Sequence, residues 1–169
     1  RSSGSAGPSP ASRCTPATSV TGRAYGADRM ATLFTRIIEG ELPGRFVWRD
    51  DRCVAFLTIA PLAPGHLLVV PIEEIDHWID LEPDLLAHLM EVARTIGRVQ
   101  QDVFRPVKVG VLVVGEEVPH VHVHLVPFHR LDQLDLARAD HDPDPAALDA
   151  AAAAIREGLR AAGAAHVSD

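Results

Sequence analysis

Apolar residues fall into distinct spacings along this chain, and each spacing predicts an element. Leu33, Phe34, Ile37 and Ile38 recur at helical spacing directly after Thr32, and Gly40 is placed to stop that helix. RFVWRD and CVAFLTI then read as two strands joined by a tight turn at Asp50-Asp51-Arg52. APLAPG is a Pro/Gly loop leading into HLLVVP, a buried strand ended by Pro71. Between Pro83 and Phe104, the positions Leu85, Leu89, Val92, Ile96, Val99 and Val103 alternate spacings of four and three. That is one stripe of a long helix, with Pro83 in its first turn and Gly97 inside at a cost of about 1 kcal/mol against alanine. VKVGVLVV and VHVHLVPF are two more strands, separated by GEEVPH. Asp144 as cap and Pro145 at the first position open a last helix whose face is Leu148, Ala152, Ile155 and Leu159, alanine-rich and so a weak anchor. Together these elements predict an α+β fold: an antiparallel sheet of about five strands, joined largely through hairpins and backed by the long helix, with short flanking helices.

Composition changes this picture only at the ends. Residues 1–29 are rich in Ser, Gly, Pro, Ala and Thr without apolar periodicity, so they are expected to form a disordered extension. Their Arg-dotted, acid-poor character resembles an organellar transit peptide. The reading preferred here is sequence upstream of a start at Met30. The predicted organisation is that extension, a folded domain over residues 30–132, and a loop with the alanine-rich helix over 133–169. The chain of 169 residues is 47% hydrophobic and 23% charged, ordinary for a globular protein. No apolar run approaches the ~20 residues of a membrane span, so no membrane partner is expected. The net charge of −7 argues against a nucleic-acid polymer as partner but leaves a mononucleotide pocket open. Cys14 and Cys53 lie in different kinds of segment and form no ligand pair, which favours a reduced, cytoplasmic setting.

The chemistry concentrates in His120-Val121-His122-Val123-His124. On a strand, alternate side chains share a face, so the three imidazoles line one side while Val121, Val123 and Leu125 enter the core. Burial and mutual repulsion both disfavour the imidazolium form, which keeps at least the middle ring neutral near pH 7. A neutral imidazole can be a nucleophile, a proton carrier or a metal ligand. Three readings stay open from the residues alone. One is a solvated polar face of an edge strand. The second is an open metal site of two strand histidines with His66, although no Asp or Glu stands beside the triad in a ligand motif. The third is a histidine nucleophile acting without a cofactor.

The His-x-His-x-His run resembles the signature of the histidine triad (HIT) superfamily of nucleotide hydrolases and transferases. LFTRIIEGELPGRFVWRDDRCVAF resembles the opening of its Hint branch, and APLAPGHLLVVP its histidine-bearing strand. The similarity runs from about residue 31 to Phe128. It implies that His122 attacks the α-phosphorus of a nucleotide ester, anhydride or phosphoramidate, giving a nucleotidyl-histidine that water hydrolyses. It further implies that the His120 carbonyl holds one nitrogen of His122, and that His66 and His124 hydrogen-bond the phosphate region. Phe34, Ile37 and Leu42 would sandwich the base, and the protein would be a homodimer. His77, His88, His129, His141 and His166 match no motif position and are expected on the surface.

The sequence departs from the family pattern at three places. Thr58 stands where Asp or Asn usually binds the ribose hydroxyls, and a hydroxyl lacks a carboxylate's bidentate reach. Glu116 and Glu117 replace the usual Gln and Ser or Thr of the loop before the triad, and the Asn expected upstream is absent from KVGVLVVG. Two carboxylates facing a phosphate would repel it, so they point either to altered selectivity or to a protein that binds without turnover.

Overall fold

The computed structural model describes residues 31–169, so the expected extension at 1–29 lies outside the described residues. The β1–β2 hairpin forms as its sequence predicts, with β1 at Arg45–Arg49 and β2 at Cys53–Leu57. Asp50 closes its turn by accepting the backbone N–H groups of Arg52 and Cys53, each at 2.8 Å. Every residue of β2 and of β3 (Leu67–Pro71) is buried, which is why both read as continuous apolar runs. With β4 (Lys108–Leu112) and β5 (Val123–Phe128) they make a five-stranded sheet of order β1-β2-β3-β5-β4, antiparallel at every pair.

One face of this sheet packs on α2 (Pro83–Phe104), whose buried stripe includes Leu85, Leu89, Val92, Ile96 and Val99. Helix α3 (Pro145–Ala161) lies beside α2 and β1, with Asp144 accepting from the Ala146 N–H as its cap. The alanine face is a firmer anchor than its composition predicts. Ile155 and Leu159 are fully buried, each worth about 1.5–3 kcal/mol, and the small side chains let the helices approach closely. Gly158 shows how close: a Cβ there would stand 2.5 Å from Val99 Cγ1.

The other face carries a smaller cluster of Phe34, Val54, Phe56, Leu68 and Val70, covered at one side by α1 (Leu33–Ile38). Thr32 caps α1 by accepting the Thr35 N–H, and Gly40 leaves it at φ +82°.

The triad segment differs from expectation. Strand β5 begins at Val123, so only His124 sits on it, and His120 and His122 lie in the approach to it. The reason is in the ladder. Strand β3 pairs with β5 only from Leu67↔Leu125 to Val69↔Val123, and the Val121 N–H turns away to the Ile75 carbonyl at 2.7 Å. The alternation survives without the ladder, because Val121, Val123 and Leu125 all join the α2 core. Short 3-10 turns at Trp78–Asp80, Leu131–Leu134 and Leu136–Arg138 had no signal in the apolar spacing.

Candidate active site

The peptide groups around each imidazole decide where its proton sits. The Leu62 N–H can only donate, and it donates to His66 Nδ1 at 3.0 Å. His66 therefore carries its proton on Nε2 and donates it in a hydrogen bond to His124 Nδ1 at 3.0 Å, so neutral His124 keeps its own N–H on Nε2. The His120 carbonyl can only accept, and it lies 2.8 Å from His122 Nδ1. That nitrogen holds the His122 proton, so Nε2 keeps a bare lone pair. His122 Nε2 takes no partner among the described residues, and it is not sealed from solvent. The His122 and His124 rings are 4.9 Å apart between centroids. A bare nitrogen and an N–H donor thus stand side by side.

His120 is held from both ends. Its Nε2–H donates to the Pro71 carbonyl at 2.9 Å, and its Nδ1 accepts from Thr32 Oγ1 at 2.9 Å. Thr35 Oγ1 donates to Glu74 at 2.5 Å, and the same carboxylate takes the Thr32 N–H at 3.0 Å. Thr32, Thr35 and Glu74 were not identified from the sequence as site residues. His120 is thereby a fixed post whose carbonyl aims the His122 ring.

Burial sets the charge state. It presses the pKa of His66 down to about 3 and that of His124 to about 4, with each one's histidine neighbour adding to the effect. Burial also lowers His122, opposed by its bond to the His120 carbonyl and by the charge of Glu117. His120 is lowered by burial too, against the Pro71 carbonyl and Glu74. The cluster is therefore neutral at pH 7.

The other expected site residues divide. Phe34 is buried with its ring edge-on to His122 at 4.9 Å, and Ile37 packs beside it in the same cluster. Leu42 is half-buried but stands outside that cluster. Thr58 is half-buried, its N–H on the His66 carbonyl at 3.3 Å and its hydroxyl accepting from the Ala60 N–H. Glu116 and Glu117 are both exposed. His77, His129, His141 and His166 lie on the surface as expected. His88 does not: it is half-buried and bonds the buried Asp50 carboxylate at 2.9 Å. The sequence could not reveal that contact, because it joins α2 to a turn 38 residues away.

Gln100, fully buried on α2, was also missed. Its amide N–H groups reach the Gly65 carbonyl at 2.8 Å and the Leu125 carbonyl at 3.4 Å, the residues next to His66 and His124.

A HIT domain family model matches residues 39–131. An uncharacterised HIT-like protein of Methanocaldococcus jannaschii is 34% identical over 104 residues, covering 59% of this chain and 81% of that one. Among solved structures, a Hit-like protein involved in cell-cycle regulation from Bartonella henselae matches with a TM-score of 0.67 and 26% identity, over 80% of this chain and 100% of that one. A hypothetical histidine triad nucleotide-binding protein from Sulfolobus tokodaii also matches with a TM-score of 0.67, at 25% identity over 76% and 91% of the two chains. The family match spans more than half the chain and encloses the whole imidazole cluster from His66 to His124, and on that ground the chain belongs to the HIT domain family.

Proposed function

We propose that this protein hydrolyses or transfers a nucleotidyl group through a covalent intermediate on His122. The observation that carries the reading is the bare Nε2 of His122 beside the Nε2–H of His124, the first fixed by the His120 carbonyl and the second by the His66 ring. In the first step His122 Nε2 bonds to the α-phosphorus as the bond to the leaving oxygen or nitrogen breaks. The His124 N–H stabilises a phosphoryl oxygen, and the leaving group takes its proton from solvent. Water then attacks the same phosphorus, returning the electron pair to His122 and releasing the mononucleotide. Phe34 and Ile37 offer the base an apolar wall. The nucleotide-binding description of the Sulfolobus tokodaii protein supports the substrate class.

A homodimer fits the same reading. Strand β4 ends the sheet with one edge unpaired among the described residues, and it borders a shallow, largely apolar groove lined in part by Ala87, Met90, Gly97, Val109 and Val111. Met90 and Val111 are 41% and 48% exposed, a strip that a second copy would cover.

The test is the intact mass after brief incubation with adenosine phosphoramidate. An adduct of one adenylyl group, absent in His122→Ala, is expected. Tight nucleotide binding with neither adduct nor product would favour a binding protein instead, the reading that the exposed Glu116–Glu117 pair supports.

A further inference from the structure

On the sheet face opposite the histidine cluster, three metal-ligating side chains from two elements and a turn converge on one point. Asp50 ends the β1 hairpin arm, Cys53 opens β2 and His88 rises from α2, and their ligand atoms all lie within 4.8 Å of one another. Asp50 Oδ2 is 2.9 Å from His88 Nε2 and 3.6 Å from Cys53 Sγ. Ligand pairs around a tetrahedral zinc ion are separated by roughly 3.3–3.8 Å, given bonds of about 2.0–2.3 Å. Both Asp50 pairs are within a few tenths of an ångström of that spacing, and the remaining pair, His88 and Cys53, lies within 4.8 Å.

The hydrogen bonding gives a second reason. Three donors crowd the single oxygen Oδ2: the indole N–H of Trp48 at 2.8 Å, the imidazole of His88 and the thiol of Cys53. Two of these become metal ligands when they give up the proton that points at the carboxylate. The third, with the two backbone N–H groups on Oδ1, locks the carboxylate from behind, as outer partners do in metal sites. The Asp50 side chain is 2% exposed, while His88 is 28% exposed and leaves the point open to solvent on one side. An ion of charge +2 balanced by one carboxylate and one thiolate leaves no net charge in this buried place. Thiolate and imidazole together select a borderline-soft ion over magnesium or calcium.

We infer that Asp50, Cys53 and His88 form a site for a divalent transition-metal ion of the zinc type, with water as a further ligand, pinning α2 to the β1–β2 hairpin. Binding replaces the Cys53 S–H bond with a sulfur–metal bond and releases one proton to solvent, while neutral His88 shifts its single proton from Nε2 to Nδ1 and binds through the freed Nε2.

The experiment uses the full chain carrying Cys14→Ser, so that Cys53 is the single thiol, stripped of metal and titrated with cobalt(II) and then zinc(II). One equivalent of cobalt is expected to give a thiolate-to-cobalt charge-transfer band and to quench the fluorescence of Trp48, and zinc should abolish the band and raise Tm. Cys53→Ser should remove the band. His88→Gln, which keeps an N–H for Asp50 and so preserves the fold, should weaken cobalt binding at least tenfold. His124→Ala, in the opposite cluster, should leave band and affinity unchanged. Absence of a thiolate band in the folded Cys14→Ser protein, or loss of binding in His124→Ala with retention in His88→Gln, would overturn the assignment.

Discussion

Two ring nitrogens carry the proposed chemistry: that of His122 is set by the His120 carbonyl, and that of His124 by the His66 ring, itself set by the Leu62 N–H. His122→Ala removes the bare Nε2, so turnover is expected to fall by several orders of magnitude. The ring also packs edge-on against Phe34, so the variant should lose about 1–2 kcal/mol of stability, read from a urea melt. The pH profile follows from burial. Only neutral His122 can attack, and burial holds its pKa below the ordinary histidine value of about 6.5, so the acid limb of the chemical step should lie below that pH. Glu117 opposes this shift through its charge. Glu117→Gln should therefore move the limb to still lower pH, while Glu116→Gln, which exerts no such pull, should leave it in place. Single-turnover rates across pH 4–8 distinguish the two; identical limbs in both variants would show that Glu117 does not act on His122. Of the site itself, the triad and His66 were legible in the sequence because strand alternation and motif spacing are local. The His122 tautomer was implied by the resemblance through the His120 carbonyl, but that of His120 was not legible, since it rests on Thr32 and Pro71 far along the chain.

Among the elements, α2 does most to hold the cleft. Its Gln100 donates to the carbonyls beside His66 and His124, leaving its own Oε1 without a partner in a fully buried place. An unpaired buried acceptor costs about 1–3 kcal/mol, so the bracket persists at a penalty. Gln100→Leu is expected to have a mixed effect on stability, since it removes that penalty but orphans two carbonyls. Its clearer effect should be on the His66–His124 pair, whose two-dimensional NMR titration should shift toward ordinary histidine values as the hydrogen bond loosens. Unchanged His66 and His124 titrations would limit Gln100 to a packing role. Gly65 makes the same point in the backbone. It sits at φ +82°, and a Cβ there would collide with the Phe104 ring, so Gly65→Ala should cost about 2–4 kcal/mol from strain and overpacking together. The periodicities located α1, α2, α3 and the β1–β2 hairpin closely because each buries one continuous stripe. They overextended β5 and β4, because ladder length is set by where the partner strand departs, and that is written in the partner.

At the scale of the whole molecule, neutral buried histidines tie stability to pH in one direction. His66 and His124 have folded pKa values of about 3 and about 4, while in the unfolded chain each returns to about 6.5. Between those limits the unfolded state binds protons that the folded state refuses. Stability contributed by the pair is therefore fully present above pH ~6.5 and drains as pH falls toward 4 and then 3, at up to about 1.4 kcal/mol per pH unit for each ring. Asp50 acts later. Although burial alone would raise it, hydrogen bonds from Trp48, the Arg52 and Cys53 amides and His88 hold its pKa down to about 2, so its contribution fades only below the ordinary aspartate range. The order is testable: urea midpoints should begin to fall near pH 6, well before carboxylates titrate. His66→Gln keeps an acceptor for the Leu62 N–H and a donor for His124 but binds no proton, so its midpoint should fall less steeply between pH 6.5 and 4. Equal slopes in the two proteins would mean that His66 does not stay neutral in the fold, and the hydrogen-bond order from Leu62 through His66 to His124 would lose its footing, taking with it the donor proposed to meet the substrate.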